Sequence, residues 1–273
     1  MNYRKTAERR VRGIDMKTDE ILSMIMDAEY QAGEQILHAH DIIAENKTDA
    51  RNVVTEYDRN VQELLIGTFK KMLPEAHFFC EENDVQDSLS AEHVFIIDPI
   101  DGTANFVNGF HHSCVSVAYA SFGEVCAAAV YNPYVDEMFT AQKGKGAFLN
   151  KKQIHVSDAN LSASVACIGT SPYYHEIADR TFRMIRFLYD NALDIRREGS
   201  AALDLCSVAC GRAGLFVELR LSYWDYAAGA LIVEEAGGQC WSSQGIPLPA
   251  DGSKSAVIGA GSGIEISDDL LGL

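Results

Sequence analysis

Between residues 18 and 45, apolar side chains return every three or four positions (Ile21, Leu22, Ile25, Met26, Ala32, Ile36, Leu37), which predicts a long helix with one buried stripe. A second helix is predicted over Thr55 to Met72, where TEYD offers Thr55 as N-cap with an acid three residues on. The period then changes. VFIID (94–98), CVSVAYA (114–120), EVCAAAVYN (124–132) and EMFTAQ (137–142) are short β-type runs parted by Gly, Asn or Pro. SFGE between two of them reads as a hairpin turn, and KGKGAFLN as a further turn and strand. After residue 160 the pattern alternates. SVACIGT, LDIRREG and GLFVEL read as strands; residues 175–190, SAALDLCSVACGR and WDYAAGALIVEEAGG read as helices, the last closed by Gly237 and Gly238.

A meander followed by strand–helix alternation implies stacked sheets and helices. No repeat, low-complexity tract or linker divides the chain, so we expect one domain over 16–273, with an α+β half at 16–150 and an α/β half at 151–273. Residues 1–15 read as a basic extension, frayed ahead of a first helix that starts near Met16 to Asp19. No apolar stretch follows it, so it is not read as a secretory signal.

Composition narrows the function classes. The 273 residues are 47% hydrophobic and 23% charged, enough to bury a sizeable core. No run reaches the ~18 apolar residues of a membrane helix. A net charge of −16 repels nucleic acid and anionic membranes, and would repel an anionic substrate unless bound cations reverse the sign locally. The seven cysteines (Cys80, Cys114, Cys126, Cys167, Cys206, Cys210, Cys240) contain no C-x-x-C pair, and their odd number argues against a secreted disulfide framework. Cys206 and Cys210 share one helix face and read as buried reduced thiols. A cytoplasmic, soluble enzyme is the expectation.

Four stretches put acids or hydroxyls where elements start or stop: TEYD (55–58), FFCEEN (78–83), IIDPIDGTANF (96–106) and YWDYAAG (223–229). Each has an ordinary structural explanation taken singly. Asp225 caps a helix, Thr55 and Asp58 form a capping box, Glu81 and Glu82 sit in a solvated loop, and Asp98 and Asp101 make Asx-type turns. Together they suit one chemistry. Carboxylates with a backbone carbonyl between them, here that of Ile100 beyond the Pro99 bend, make a hard-oxygen site for Mg²⁺. Gly102 and Thr103 then present amide N–H groups where a helix can begin, a seat for phosphate. Acids beside an anion seat suggest metal-assisted phosphoryl transfer to water.

DPIDGTANF, with the upstream EE and the downstream WDYAAGALIVEEAGG, resembles the inositol monophosphatase family of Mg²⁺-dependent, lithium-sensitive phosphatases, over roughly residues 18 to 260. The resemblance implies a layered αβαβα sandwich of the sugar-phosphatase type, a homodimer, and a small phosphorylated polyol or sugar as substrate, with neither nucleic acid nor membrane as partner. It implies two Mg²⁺ ions per site and leaves a third, loosely held one open. Glu81, Asp98, the Ile100 carbonyl, Asp101 and Asp225 match the metal ligands, and Glu81 also orients the attacking water. Thr103 and Asp58 match the pair that takes the proton from that water, and the amides of Gly102 and Thr103 match the phosphate seat. Gly199, Ser200, Ala201, Glu218 and Asp225 match the surroundings of the substrate ring, and Lys47 aligns with a lysine near the metals. Cys80 and Asn83 depart from the family pattern around the EE pair, and the segment from Glu81 to Asp98 is compact.

The implied reaction is hydrolysis of inositol monophosphate by direct in-line attack of a metal-activated water, without a phosphoenzyme. Fructose 1,6-bisphosphatase activity is the main alternative, and a 3′-phosphoadenosine 5′-phosphate phosphatase a lesser one. Haloacid-dehalogenase-type phosphatases use D-x-D-G-T, one residue shorter than the D-P-I-D-G-T found here, and one extra residue sends the side chain the other way. A degenerate relative that only binds ligands should have lost an acid, and none is missing. His111 and His112 read as packing or pocket-lining residues, and Tyr173 and Tyr174 as candidates to line the pocket.

Overall fold

The computed structural model describes residues 2–46, 53–83 and 86–265, with the side chains of residues 2–17 and of Asn46 outside that description. Lys47, the expected neighbour of the metals, lies outside the described residues. Helix α1 (Asn2–Leu37) leads into a small hairpin of β1 (Ala44–Asn46) and β2 (Val53–Thr55), and α2 (Glu56–Met72) follows. Thr55 caps α2 as expected, and the capping box with Asp58 is complete.

The first helix differs from expectation at both ends. It begins at Asn2, so residues 2–15 continue the helix and are not a frayed extension; no proline interrupts residues 2–37. It stops at Leu37, short of residue 45, and the chain turns at Asp41, whose φ of 51° is left-handed, before entering β1.

A seven-stranded sheet forms the centre of the first half. Its strands are β3 (His77–Cys80), β4 (Val94–Asp101), β5 (Cys114–Ser121), β6 (Glu124–Asn132), β7 (Glu137–Gln142), β8 (Gly146–Leu149) and β9 (Lys152–Ile154), in that spatial order. Only β3 and β4 are parallel; the others form an antiparallel meander. The SFGE turn joins β5 to β6 with Phe122 and Gly123 both at positive φ, the backbone of a tight hairpin.

The second sheet has five strands: β10 (Val165–Ile168), β11 (Asp194–Arg196), β12 (Leu215–Leu221), β13 (Gln239–Trp241) and β14 (Ser255–Ala260), ordered β11-β10-β12-β14-β13. β3, β13 and β14 were not expected from the sequence. The first hides in an apolar run, and SAVIGA is too short and glycine-containing to show alternation. A short helix α3 (Thr103–Val107) follows β4, and three longer ones belong to the second half: α4 (Ala178–Asn191), α5 (Ala201–Ala209) and α6 (Tyr223–Glu235).

Three apolar clusters define the layers. Ile25, Leu65 and Phe69 from α1 and α2 pack on Phe95, Val117 and Ala129 of the first sheet. The other face of that sheet, through Ile96, Ala118 and Phe139, meets Leu205 and Val233 of α5 and α6, which also cover Phe216 and Val257 of the second sheet. Met184 and Leu188 of α4 close the outer face against Ala166, Leu215 and Ile258. The stack is therefore αβαβα, and β4, buried on both faces, reads as a continuous apolar run. Among the described residues no helix is long and apolar enough to cross a membrane.

The two middle helices approach closely at Gly229, where a Cβ would lie 2.7 Å from the Leu205 Cβ. Gly229→Ala should destabilise the protein by about 1–2 kcal/mol, overpacking outweighing the helix-propensity gain. Thermal unfolding checks this, and a stabilisation by the variant would contradict the close contact.

Candidate active site

Two residues separate Asp98 from Asp101, so in a regular strand their side chains would point to opposite faces. They do not, because β4 is bulged there. Asp98 pairs with Ser116 and Asp101 with Cys114, so three steps along β4 match two along β5. The extra residue restores both acids to one side. Ile100 takes the opposite face and is fully buried under α1 and α2, while its carbonyl faces the cavity side. Pro99 sits at the bulge, where a missing N–H costs no ladder bond. β12 carries a second irregularity between Glu218 and Leu221, at the opposite wall of the same cavity.

That cavity, about 150 Å³, gathers side chains from both sheets. Glu81 enters from the end of β3, Asp98 and Asp101 from β4, Gly102 and Thr103 from the start of α3, Gly199, Ser200 and Ala201 from the entry to α5, Glu218 from β12 and Asp225 from α6. The structure thus brings together every residue expected to meet metal, phosphate or substrate. Asp58 stands one bond behind: the Thr103 hydroxyl is 3.1 Å from Asp58 Oδ1 and 3.1 Å from the Ile100 carbonyl. The other Asp58 oxygen accepts from the Thr55 amide (2.7 Å) and hydroxyl (2.5 Å). The capping box and the contact with Thr103 therefore share one residue, Asp58, each using one of its carboxylate oxygens.

Asp225 repeats that economy. One of its oxygens accepts from the Ser222 amide at 2.7 Å, closing the N-terminus of α6, and its carboxyl faces the cavity. Asp101 is held by the Ser200 hydroxyl (2.6 Å) and the Ala202 amide (2.7 Å), both on Oδ2. Ser200 at the same time caps α5 through the Leu203 amide. Its hydroxyl therefore orients an acid, and the residue also lines the cavity where the sequence had suggested substrate contact. Glu218 accepts from the Ser171 amide (2.9 Å) and hydroxyl (2.7 Å) and lies so close to Gly169 that no Cβ fits there.

So many acids in one place cost free energy as long as they are charged. Burial, then Glu81, Asp101 and Asp225, push the Asp98 carboxyl well above its ordinary range. Burial, with Glu81 and Asp101 adding to it, does the same to Asp225. Asp101 rises to about 6 through burial, opposed by its bonds from Ser200 and Ala202. Burial also raises Glu218, against the pull of Ser171 and Arg197. Glu81 lies close enough to Asp98 to add to the rise of the Asp98 carboxyl.

Among the described residues no three acids already form a closed metal nest. The chemistry of the set still fits a hard cation: oxygen donors alone, each disfavouring its neighbours' charged form. Glu81, Asp98, the Ile100 carbonyl, Asp101 and Asp225 are the residues able to hold it.

Other residues fall elsewhere. His111 stacks on Tyr134 at 5.0 Å and His112 lies 3.3 Å from Glu198, both beside a separate cavity. Tyr173 lines the active-site cavity, whereas Tyr174 lies under the Arg220 guanidinium, 4.2 Å from its ring centre. The cysteines are all free. Sequence reasoning missed Arg197 and Asp204, which also line the cavity. Asp204 is 1% exposed, with Oδ1 lacking a partner and its carboxyl pushed up by burial and by Glu198. The place of Arg197 two residues before Gly199 in REGSAALDL was the available signal.

The fold and this cavity define a layered αβαβα sandwich with an acid-lined pocket between its sheets. A family model described as "Inositol monophosphatase family" matches residues 17–266, and the chain belongs to that family. It is 37% identical over 227 residues to the protein named Nus factor SuhB of Pseudomonas aeruginosa, covering 80% of this chain and 83% of that one. It is 39% identical over 194 residues to the fructose-1,6-bisphosphatase/inositol-1-monophosphatase of Thermotoga maritima, covering 71% of this chain and 73% of that one. Among solved structures it resembles the extragenic suppressor protein suhB of Bartonella henselae, with a TM-score of 0.83 and 31% identity, covering 89% of this chain and 95% of that one.

The raised acids fix a stability dependence with a definite sign. An acid whose folded pKa exceeds its unfolded value holds more protons when folded, so its contribution is present at low pH and is lost as pH rises through that window. For Asp101 the window runs from 3.8 to about 6, and for Asp98 and Asp225 it begins at the same value and extends upward. In chelator the protein should melt at a lower temperature at about pH 8 than at about pH 5. Asp98→Asn should narrow that difference, and a divalent cation should raise the melting temperature more at the higher pH.

Proposed function

We propose that the chain is a Mg²⁺-dependent phosphomonoesterase that hydrolyses inositol monophosphate to inositol and phosphate by direct attack of water. The observation that carries this reading is the meeting of Glu81, Asp98, Asp101 and Asp225, from two strand ends and one helix, beside a Thr103–Asp58 hydrogen bond of 3.1 Å. Glu81, Asp98, the Ile100 carbonyl, Asp101 and Asp225 would hold two Mg²⁺ ions. When bound, Mg²⁺ supplies the positive charge that lets a water ionise near neutral pH and that offsets charge gathering on the phosphoryl oxygens.

The chain's own groups do the rest. The Thr103 hydroxyl donates to Asp58, which leaves its oxygen able to take a proton from the attacking water. Thr55 fixes the far side of Asp58, so the carboxylate cannot rotate away. Glu81 orients the same water, and the amides of Gly102 and Thr103 seat the phosphoryl oxygens. The new oxygen–phosphorus bond forms as the ester oxygen–phosphorus bond breaks, the leaving alkoxide taking a proton from solvent. Gly199, Ala201, Glu218 and Asp225 surround the polyol, with Ser200 acting through Asp101.

Two further readings have support. Fructose 1,6-bisphosphate as substrate is favoured by Arg197, a cation in the wall of an acidic cavity, and by the name of the Thermotoga relative. The SuhB relative is named a Nus factor, yet a net charge of −16 disfavours nucleic acid here, and the full set of acids favours hydrolysis. A cytoplasmic, lithium-sensitive homodimer completes the proposal.

Phosphate release from inositol 1-phosphate should require Mg²⁺, stop with EDTA and fall with Li⁺. Asp98→Asn should lower kcat about 100-fold or more while the circular dichroism spectrum stays native. Thr103→Val should lower it by about 100-fold or more, with a smaller change in KM. Wild-type turnover in Asp98→Asn, with metal present, would sink the assignment.

A further inference from the structure

Three residues beyond β10, Ser171 takes a φ of 38°, the left-handed region that a residue with a side chain enters only when its surroundings force it. The forcing contacts are visible. Ser171 is 3% exposed, and its amide and hydroxyl both donate to Glu218 Oε1, at 2.9 and 2.7 Å. The hydroxyl also lies 2.8 Å from the Arg220 carbonyl. Backbone strain held by bonds of this kind gathers at functional sites.

The far side of the turn is fixed as well. The Tyr174 amide donates to the Ser171 carbonyl at 3.0 Å. The Tyr174 ring centre lies 4.2 Å from the Arg220 guanidinium and 5.1 Å from the Lys254 ammonium, and Arg220 pairs with Glu176 at 2.7 Å. Between these anchors stand Pro172, whose ring fixes its own φ, and Tyr173, and both line the active-site cavity. The strained turn therefore carries an aromatic side chain to the cavity and holds it there. With 41% of its side chain exposed, Tyr173 stands at the mouth.

Among the described residues three hydroxyl side chains line this cavity: Thr103, Tyr173 and Ser200. Thr103 is committed to Asp58 and the Ile100 carbonyl, and Ser200 to Asp101. Tyr173 meets the Tyr174 ring edge-on at 5.5 Å, and its hydroxyl has no hydrogen-bond partner among the described residues. Burial, then the charges of Asp225, Glu218, Glu81 and Asp101, push its ionisation upward, so the oxygen keeps its proton and remains a donor. A polyol hydroxyl gives one hydrogen bond and accepts another. Glu218 and Asp225 can accept from it; a phenol is the matching neutral donor, whereas the Arg197 guanidinium is better suited to an anion.

We propose that Tyr173 is a specificity-determining residue whose O–H donates to a ring hydroxyl of the bound polyol, the same hydroxyl donating in turn to Glu218 or Asp225. This rests on the hydrolytic reading above and adds to it the residue by which the cavity tells a hydroxylated ring from an apolar one. A wall that pairs with hydroxyls in both directions rejects a ring without them, because its own polar groups are then left unpaired.

The test is a matched pair of esters, inositol 1-phosphate and cyclohexyl phosphate, which share a six-membered ring and differ in its hydroxyls. kcat/KM with Mg²⁺ is measured for both in wild type and in Tyr173→Phe, which keeps the ring and removes the donor. The wild type should prefer the inositol ester, and that preference should fall about 5- to 30-fold in Tyr173→Phe, the value of one or two kcal/mol of hydrogen bonding. Inhibition by inorganic phosphate, which carries no polyol, should shift by less than about 2-fold. A preference unchanged within about 2-fold, a wild type that favours the cyclohexyl ester, or an equal loss in phosphate inhibition would each overturn the proposal. If wild type hydrolyses neither ester, the hydrolytic reading fails, and the same ratio taken from calorimetric Kd values decides whether Tyr173 reads the hydroxyls.

Discussion

Mutual repulsion among buried carboxyls is the constraint on which the rest of this structure depends. Asp98, Asp101, Asp225 and Glu81 converge where water is scarce, and each raises the energy of its neighbours' charged form. A fold that only needed stability would keep these side chains apart. Here the backbone holds them together: a bulge aligns Asp98 with Asp101, a capping box pins Asp225, and Ser200 and Ala202 pin Asp101. The resulting site disfavours its own negative charge, a cost that a bound cation would relieve.

The layered architecture explains how such a site is tolerated. Both sheets and the helices pack through three apolar clusters, and the acids line a cavity apart from them. Local duties are doubled to the same effect. Asp58 closes a helix and receives Thr103; Ser200 closes a helix and orients Asp101; Asp225 closes a helix and faces the cavity. In each case the helix start fixes a side chain that the chemistry needs immobile, which is preorganisation achieved with secondary structure.

Much of this was legible in the sequence because it is local. The box at Thr55–Asp58, the strands from Val94 to Gln142 and the helix from Tyr223 follow from short-range pattern and appear where expected. The acids were legible as a set because four separate stretches each put oxygen donors where an element starts or stops. What was hidden depends on pairing and burial. A period-two pattern cannot show that β4 gains a residue over β5, so the common facing of Asp98 and Asp101 came only with the register. Asp204 falls inside a stretch read only as helix, and the packing of α5 between two sheets buries it. Arg197 falls in LDIRREG, read only as a strand, and becomes part of the cavity where Gly169 and Gly199 leave room for charged neighbours. The first helix was misjudged at both ends for a related reason: amphipathic period marks the buried stripe, and helix can continue beyond it.

The central claim is that protons and a divalent cation compete for the same acid cluster. Calorimetric titration of Mg²⁺ into the metal-free protein near about pH 6, repeated in buffers of different ionisation enthalpy, counts the protons released as the cation binds. The account predicts net proton release on binding, and less of it in Asp98→Asn. Tight Mg²⁺ binding with no proton released at that pH would contradict it.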